Sequence, residues 1–213
     1  MTLVIDIQYF TTSILYKNLY KFSNIIFDQY ETYQKMGFRN RCQVAGAEGI
    51  INLSIPLAGG RDQKVLVKDV RISNRQPWAA QHWKTIVSCY SRSPWFEFYR
   101  DELEGLYRRR FEFLLDWNLA CFDWSLRALG MTMRVALTDR WEKVYTDAGV
   151  VDWRGKISPE GGAGSEPGVG SPEGGELRYR QVFEERVGFI PNLSILDLLF
   201  CDGKNAIRYI RSS

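Results

Sequence analysis

The run Leu3-Val4-Ile5-Asp6-Ile7-Gln8-Tyr9-Phe10 decides how the rest of the chain is read. Its first five residues are nearly continuous apolar sequence, the pattern of a short strand covered on both faces, and this favours a parallel sheet inside an α/β layer structure. Thr12 to Phe22 follows with Ile14, Leu15, Leu19 and Phe22 at helical intervals, and Asn24 to Phe27 is a second strand-like run. Strand, crossover helix and strand make a parallel unit. In open α/β sheets ligands bind outside the carboxyl ends of the strands, so Gln8 and Tyr9 after the first strand, and Asp28 after the second, are site candidates on architecture alone.

Downstream, strands are predicted over Phe38–Val44, Gly49–Ile55 and Val65–Ile72, each bounded by Gly, Pro or Asn. From Gln76 to Leu129 the period becomes helical. Ser93 with Pro94 reads as an N-cap and first helical position, and Phe111–Leu129 as a helix ended by Gly130. Arg108, Arg109 and Arg110 fit a solvated helix end better than a binding patch. Met131–Leu137 alternates apolar and polar positions, as a strand does. Gly155–Glu176 is dominated by Gly, Pro, Ser and Glu without an aromatic residue, the composition of an insertion or linker. Ser194 and Asp197 have capping-box spacing ahead of a short apolar helix that Gly203 closes.

The expected fold is therefore α/β, with a single mixed or mostly parallel sheet, an N-terminal strand-helix-strand unit and a helical middle segment. The expected division is a main domain over 1–150, a flexible Gly/Pro-rich insertion over 151–178, and a C-terminal segment over 179–213 docking on the main domain.

Composition narrows function by exclusion. The chain has 213 residues and a formal net charge of +3, too little to imply nucleic acid. Seven Trp, eleven Tyr and twelve Phe imply a well-filled aromatic core before they imply a stacking site. The four cysteines, Cys42, Cys89, Cys121 and Cys201, lie far apart, and with one histidine in the chain they are read as buried thiols, with no metal site expected. The apolar start lacks a basic flank and is broken by Asp6, so it is not read as a signal peptide. Nor does any stretch reach the length of a membrane span, and the expectation is a cytoplasmic chain. Gly-rich phosphate loops, a Gly-x-Ser-x-Gly elbow and a His-Glu-x-x-His motif are all missing from the sequence.

The segment from Asp28 to Arg41 carries the densest functional signal. Arg39 and Arg41 can each present a bidentate fork to phosphate or carboxylate, Lys35 adds a point charge, and Tyr33 and Asn40 lie among them. On a strand, residues 39 and 41 share a face, with Asn40 opposite. The plainer alternative is a set of surface charges paired with Asp28 or Glu31. His82 is the one candidate for a neutral-pH imidazole base, but Trp78, Thr85, Ile86 and Cys89 share its helix face, which suits a structural histidine better than a catalytic one. A Cys89–His82 nucleophile pair is disfavoured, since seven residues of helix separate them by about 10 Å.

With these residues set out, the chain resembles the WbqC-like protein family of bacteria. The resemblance rests on Gln8-Tyr9-Phe10, Asp28, Tyr33-Gln34-Lys35, Arg39-Asn40-Arg41, Leu53-Ser54-Ile55-Pro56-Leu57, Val70-Arg71-Ile72, Trp78 and His82-Trp83-Lys84-Thr85. It continues through Ser88, Tyr90, Ser93-Pro94 and Phe96 to Pro191-Asn192-Leu193-Ser194-Ile195-Leu196-Asp197-Leu198-Leu199-Phe200. It departs at Tyr9, where many relatives have proline. The resemblance implies a role in bacterial surface-polysaccharide biosynthesis, where modification of amino sugars by aminoacyl or other acyl groups is one suggested activity; it supplies no established catalytic set and no cofactor.

The early layout also resembles nucleotidyltransferase-like folds of the adenylyltransferase kind, although their His-rich signature is missing. Two readings follow. In the first the chain is a transferase-like enzyme acting on a nucleotide-linked amino sugar or similar anionic small molecule. His82 and Asp28 would then be catalytic, with Gln8, Tyr9, Tyr33, Lys35, Arg39, Asn40 and Arg41 binding substrate. In the second it is a non-catalytic binding or assembly protein of the same pathway.

Overall fold

The structure is a computed structural model that describes residues 1–60, 62–157 and 177–211. Strand β1 (Thr2–Ile5) leads through helix α1 (Ser13–Leu19) to β2 (Asn24–Phe27), and the two strands pair in parallel with Thr2 opposite Asn24 and Ile5 opposite Phe27. Strand β5 (Arg134–Leu137) adds in parallel beside β2, and β6 (Val150–Asp152) in parallel on the other side of β1. The order is β5-β2-β1-β6. Burial follows position: Leu3, Val4 and Ile5 of the central β1 are fully covered, β2 alternates between buried and half-buried, and the edge strand β5 is mostly exposed.

The parallel sheet expected from sequence is present, but it is not the single sheet of the fold: a second, two-stranded sheet stands beside it. It is an antiparallel hairpin of β3 (Arg41–Gly46) and β4 (Gly49–Ser54), whose turn is short enough to need the positive φ of Gly49. The strand expected over Val65–Ile72 is not one. Its residues form a 3₁₀ turn at Val67–Asp69 flanked by isolated bridges from Leu66 to Thr32, Arg71 to Phe113 and Ile72 to Leu57. Val67, Val70 and Ile72 are buried there because the segment docks on several neighbours in turn, with no continuous ladder.

Three helices fill the middle: α2 (Trp78–Tyr90), α3 (Phe96–Arg108) and α4 (Leu114–Leu129). Gly130 ends α4 in the left-handed conformation, as its position suggests. Ser93 does not cap α3; its hydroxyl donates to the Tyr90 carbonyl, and the helix begins after Trp95. The core between these helices is aromatic, with Trp117 touching Tyr9, Phe10, Trp78, Tyr107 and Phe111 at ring separations of 5.1–6.5 Å.

The C-terminal part contributes α5 (Glu184–Val187), α6 (Ile195–Asp202) and α7 (Ala206–Arg211). Residues 195–200 are all buried. Ser194 caps α6 by accepting from the Leu196 amide, but Asp197 does not complete the capping box. Its carboxyl oxygens instead accept from Tyr90 Oη at 2.6 Å and Tyr179 Oη at 2.7 Å.

Most of the Gly155–Glu176 stretch expected as an insertion lies outside the described residues, while β6 carries the sheet across the expected boundary at 150. No described helix is long and apolar enough to cross a membrane.

Candidate functional site

Four parallel strands deliver their carboxyl ends to one edge, and the residues just past each end are polar: Asp6 after β1, Asp28 after β2, Thr138 after β5, and Asp152 with Arg154 at β6. The chain runs from β1 outward to β2 and β5 and then returns to β6 on the opposite flank of β1, so this edge includes the switch point at which such sheets bind ligands.

Arg154 ties the edge together. One Nη1 donates to Asp28 Oδ2 at 2.6 Å and to the Glu142 carbonyl at 2.8 Å, Nη2 donates to Asp152 Oδ2 at 2.7 Å, and the guanidinium lies over the Tyr145 ring. The other Asp28 oxygen accepts from Thr138 Oγ1 at 3.1 Å and from the Tyr30 amide at 3.0 Å. Burial pushes Asp152 up, but the hydrogen bonds and charge of Arg154 outweigh it and hold that carboxyl below its usual range.

Next to this lies a second ion network. Asp6 accepts from the Gly155 amide at 2.8 Å and from Gln8 Nε2 at 3.0 Å, with Arg39 Nη2 3.7 Å away. Arg39 turns its fork on Glu31, Nε to Oε1 at 2.8 Å and Nη2 to Oε2 at 2.9 Å. Asn118 of α4 donates to the Arg39 carbonyl and fixes its backbone. Asp6, Asp28, Glu31 and Arg39 are exposed by only 1, 0, 6 and 4%.

Four carboxylates (Asp6, Asp28, Glu31, Asp152) face two guanidiniums (Arg39, Arg154), so the edge carries surplus negative charge. Its clearest consequence is at Glu31. Burial raises that carboxyl, the Arg39 charge opposes the rise, and Asp6 and Asp28 add to it, leaving Glu31 at about 7. A carboxyl poised there can accept or release a proton at neutral pH.

The loop that carries Gln8 is held under strain. Phe10 has φ of 37°, unusual for a residue with a side chain, and is secured by its ring contacts with Trp117 and Trp124 and by the Ser194 hydroxyl on its carbonyl. The resulting turn brings Thr11 Oγ1 within 2.6 Å of Gln8 Oε1, which points the Gln8 amide at Asp6 and the Ile157 carbonyl. A cavity of about 310 Å³ opens beside the edge, lined by Leu137, Thr138, Arg140, Glu142 and Tyr145 among others. The Tyr145 hydroxyl, although buried, has no partner.

Of the residues expected from sequence, Gln8, Asp28 and Arg39 meet at this edge. Tyr9 and His82 belong to the aromatic core, where Tyr9 Oη lies 3.1 Å from His82 Nδ1 and 2.6 Å from Tyr107 Oη. Burial lowers His82 to about 4, against a small opposing effect of its bond to the Ser54 backbone, so the ring is neutral at physiological pH.

Tyr33 donates to Asn40 Oδ1, and Asn40 donates to the Ile55 carbonyl, an arrangement that pins the start of the hairpin. Lys35 pairs with Asp62 at the surface, and Arg41 donates to the Met36 carbonyl. Because β3 begins at Arg41, Arg39 and Arg41 do not share a strand face as the expected Phe38–Val44 strand would require; the Arg39 fork turns inward and is occupied by Glu31.

Asp6, Thr138, Asp152 and Arg154 were not singled out from sequence as site residues, and Glu31 was named only as a partner for surface charges. Asp6 and Asp152 carried a signal, an acid at the end of a short apolar run. Arg154 carried none. Among the described residues no group of three or more His, Cys, Asp or Glu side chains is arranged to hold a metal ion.

The fold and the site define an α/β protein whose parallel sheet bears a buried ion network outside its strand ends. A family model described as the WbqC-like protein family matches residues 9–158, and the chain belongs to that family. The matched span contains Asp28, Glu31, Arg39, Thr138, Asp152 and Arg154, and begins just after Asp6 and Gln8. Neither a curated protein nor a solved structure matches the chain.

Proposed function

We propose that the carboxyl edge of the sheet is the substrate site of a transferase-like enzyme of bacterial surface-polysaccharide biosynthesis. It would act in the cytoplasm on a nucleotide-linked amino sugar or a similar anionic small molecule by aminoacyl or acyl transfer. One observation carries this reading: a carboxyl raised to about 7, Glu31, sits in a network with surplus negative charge at the strand ends. Surplus carboxylate suits the ammonium group of an amino sugar. A base of this strength suits removal of the proton that a sugar amine must lose when it attacks an acyl carbon.

In this reading Glu31 is the base and Arg39 holds it in place. Gln8 and Asp28 orient the sugar, the latter through Thr138. The Tyr145 hydroxyl and Arg140 offer donors to the oxygen-rich remainder at the cavity. His82, neutral and bonded to Tyr9 in the aromatic core, has no part in the chemistry of this reading and serves the packing instead. A non-catalytic binding protein is the second reading, favoured by the fact that the fork of Arg39 is already filled by Glu31 in a network that needs no turnover to explain it.

A thermal-shift panel of nucleotide sugars, ATP and acyl-coenzyme A, followed by a turnover assay on each compound that shifts the melting temperature, separates the two. The enzyme reading expects a shift with a nucleotide amino sugar and a turnover lost in Glu31→Gln while the shift remains. A shift without turnover in the native chain supports the binding protein. No shift with any phosphate-bearing compound overturns both.

A further inference from the structure

A second cavity, of about 610 Å³, shares no residue with the strand-end site. It is lined by Arg71, Arg75, Arg110, Ile72, Asn74 and Phe111, with Ala58 and Glu112 completing the wall. Three guanidiniums thus face one carboxylate. Glu112 pairs with Arg71, whose guanidinium also lies over the Phe113 ring, whereas Arg75 and Arg110 have no acidic partner among the described residues. Other exposed arginines, Arg92 and Arg134 among them, also lack an acidic partner among the described residues; what sets Arg75 and Arg110 apart is that they line one groove together with Arg71.

The walls are fixed before any ligand arrives. Ile72 N donates to the Glu112 carbonyl, Ala58 N to the Arg71 carbonyl, Ser73 N to the Pro56 carbonyl and Leu114 N to the Val70 carbonyl, all at 2.8–2.9 Å. Asn74 locks the rim by donating to the Phe111 carbonyl at 2.9 Å and accepting from the Trp78 indole at 3.2 Å. Phe111 is itself braced against Trp117. The backbone framing the groove is thus preset, while the exposed arginine side chains order on binding, and the size of the groove is that of a small-molecule site.

We propose that this groove binds a small molecule through a di- or polyphosphate group. Arg75 and Arg110 would supply the free forks, Arg71 the third charge, and Ile72 and Phe111 an apolar floor for whatever the phosphate carries. The inference rests on the groove alone and stands or falls independently of the reading of the strand-end site.

The test is calorimetric titration of the full chain with inorganic pyrophosphate and, separately, with ATP, comparing the native chain, the double variant Arg75→Ala/Arg110→Ala, and a control double variant Arg100→Ala/Arg108→Ala that removes the same charge from outside the groove. Saturable pyrophosphate binding is expected, weakened at least tenfold in the first double variant and unchanged in the control, with all three chains melting cooperatively. ATP binding equal to pyrophosphate identifies the polyphosphate alone as the ligand; tighter ATP binding adds a base on the apolar floor, and either result upholds the site. Absence of pyrophosphate binding, or equal binding by the Arg75→Ala/Arg110→Ala variant, overturns it.

Discussion

Two regions of this molecule bury polar side chains, and they do it with different chemistry. At the carboxyl edge of the parallel sheet the buried groups carry formal charge, with Asp28 against Arg154 and Glu31 with Asp6 against Arg39. In the core between the hairpin and the helices the corresponding groups are hydroxyls and a neutral imidazole, Tyr9 with His82 and Tyr107, and Tyr90 with Tyr179 around the carboxyl of Asp197.

Desolvating a charge costs far more than desolvating a hydroxyl, and apolar packing usually stabilises at least as well as a buried ion pair. A core that needed only stability has no reason to collect four carboxylates. On the reading proposed above, the contrast separates a region organised for holding other groups from one organised for holding itself together.

The largest way to break that contrast is Arg39→Met. Methionine fills similar space but leaves Glu31 and Asp6 buried without their cation, and removing one partner of such a pair costs about 3–5 kcal/mol. The penalty should be greater at pH 8 than at pH 5, because Glu31 escapes it by taking up a proton in acid. Urea denaturation at the two pH values measures both quantities. A cost below about 1 kcal/mol at pH 8 would mean that the edge is no different in kind from an exposed ion pair.

The next effect concerns pH and sharpens the comparison through its sign. Glu31 is raised from 4.5 to about 7, so the folded state holds its proton more tightly than the unfolded state does. Its contribution is fully present below pH 4.5 and is lost as pH climbs through 7. His82 is lowered from 6.5 to about 4, so its contribution is present above pH 6.5 and is lost as pH falls through 4. The edge and the aromatic core thus pull stability in opposite directions across the same interval. Asp197, a carboxyl within the core, is raised to about 6 by burial, in spite of the tyrosine donors that lower it, and follows Glu31 in sign. Subtracting the Glu31→Gln stability curve from the native one cancels His82 and Asp197. The remainder should fall by about 2–3 kcal/mol between pH 4.5 and 7. A flat difference would remove the reason for assigning Glu31 as base.

On the neutral side, Tyr90→Phe deletes the hydroxyl that donates to Asp197 and accepts from the Ala45 amide at 2.9 Å. The expected loss is about 1–2 kcal/mol, and smaller below pH 6, where Asp197 protonates and can donate to Tyr179. Calorimetric melting at pH 5 and 7.5 reads this directly. A loss equal to that of Arg39→Met would erase the distinction between hydroxyl and charge.

How much of this was legible in the sequence depended on how local the cause was. Leu3–Ile5, the Asn24–Phe27 strand and the Gly130 stop are set by short patterns, and each could be read from a few consecutive residues. Asp28 and Gln8 could be placed because a strand end is itself a local feature. Glu31 was named only as a partner for surface charges. The structure keeps the pairing but buries it, since Asn118 and the loop at Val65–Val67 close over it, and no pattern near residue 31 announces that. Arg154 reaches Asp28 across 126 residues of chain, and the two-stranded hairpin could be told from a larger sheet only by knowing what β3 fails to pair with.

The smallest expected effect is the most instructive control. Lys35 and Arg39 lie four residues apart in one basic segment, both within reach of a carboxylate, and sequence alone gives them equal standing. Lys35 meets Asp62 with both side chains more than half exposed, while Arg39 and Glu31 are buried. Water screens the first pair and competes for both partners, so Lys35→Ala should change stability by no more than about 0.5 kcal/mol, against several for Arg39→Met. Raising salt from 0.05 to 0.5 M should remove even that, while leaving the Arg39→Met penalty largely intact, because ions do not enter the strand-end network. If the two substitutions instead respond alike to salt, the network around Glu31 is open to solvent, and its raised carboxyl would need a cause other than burial.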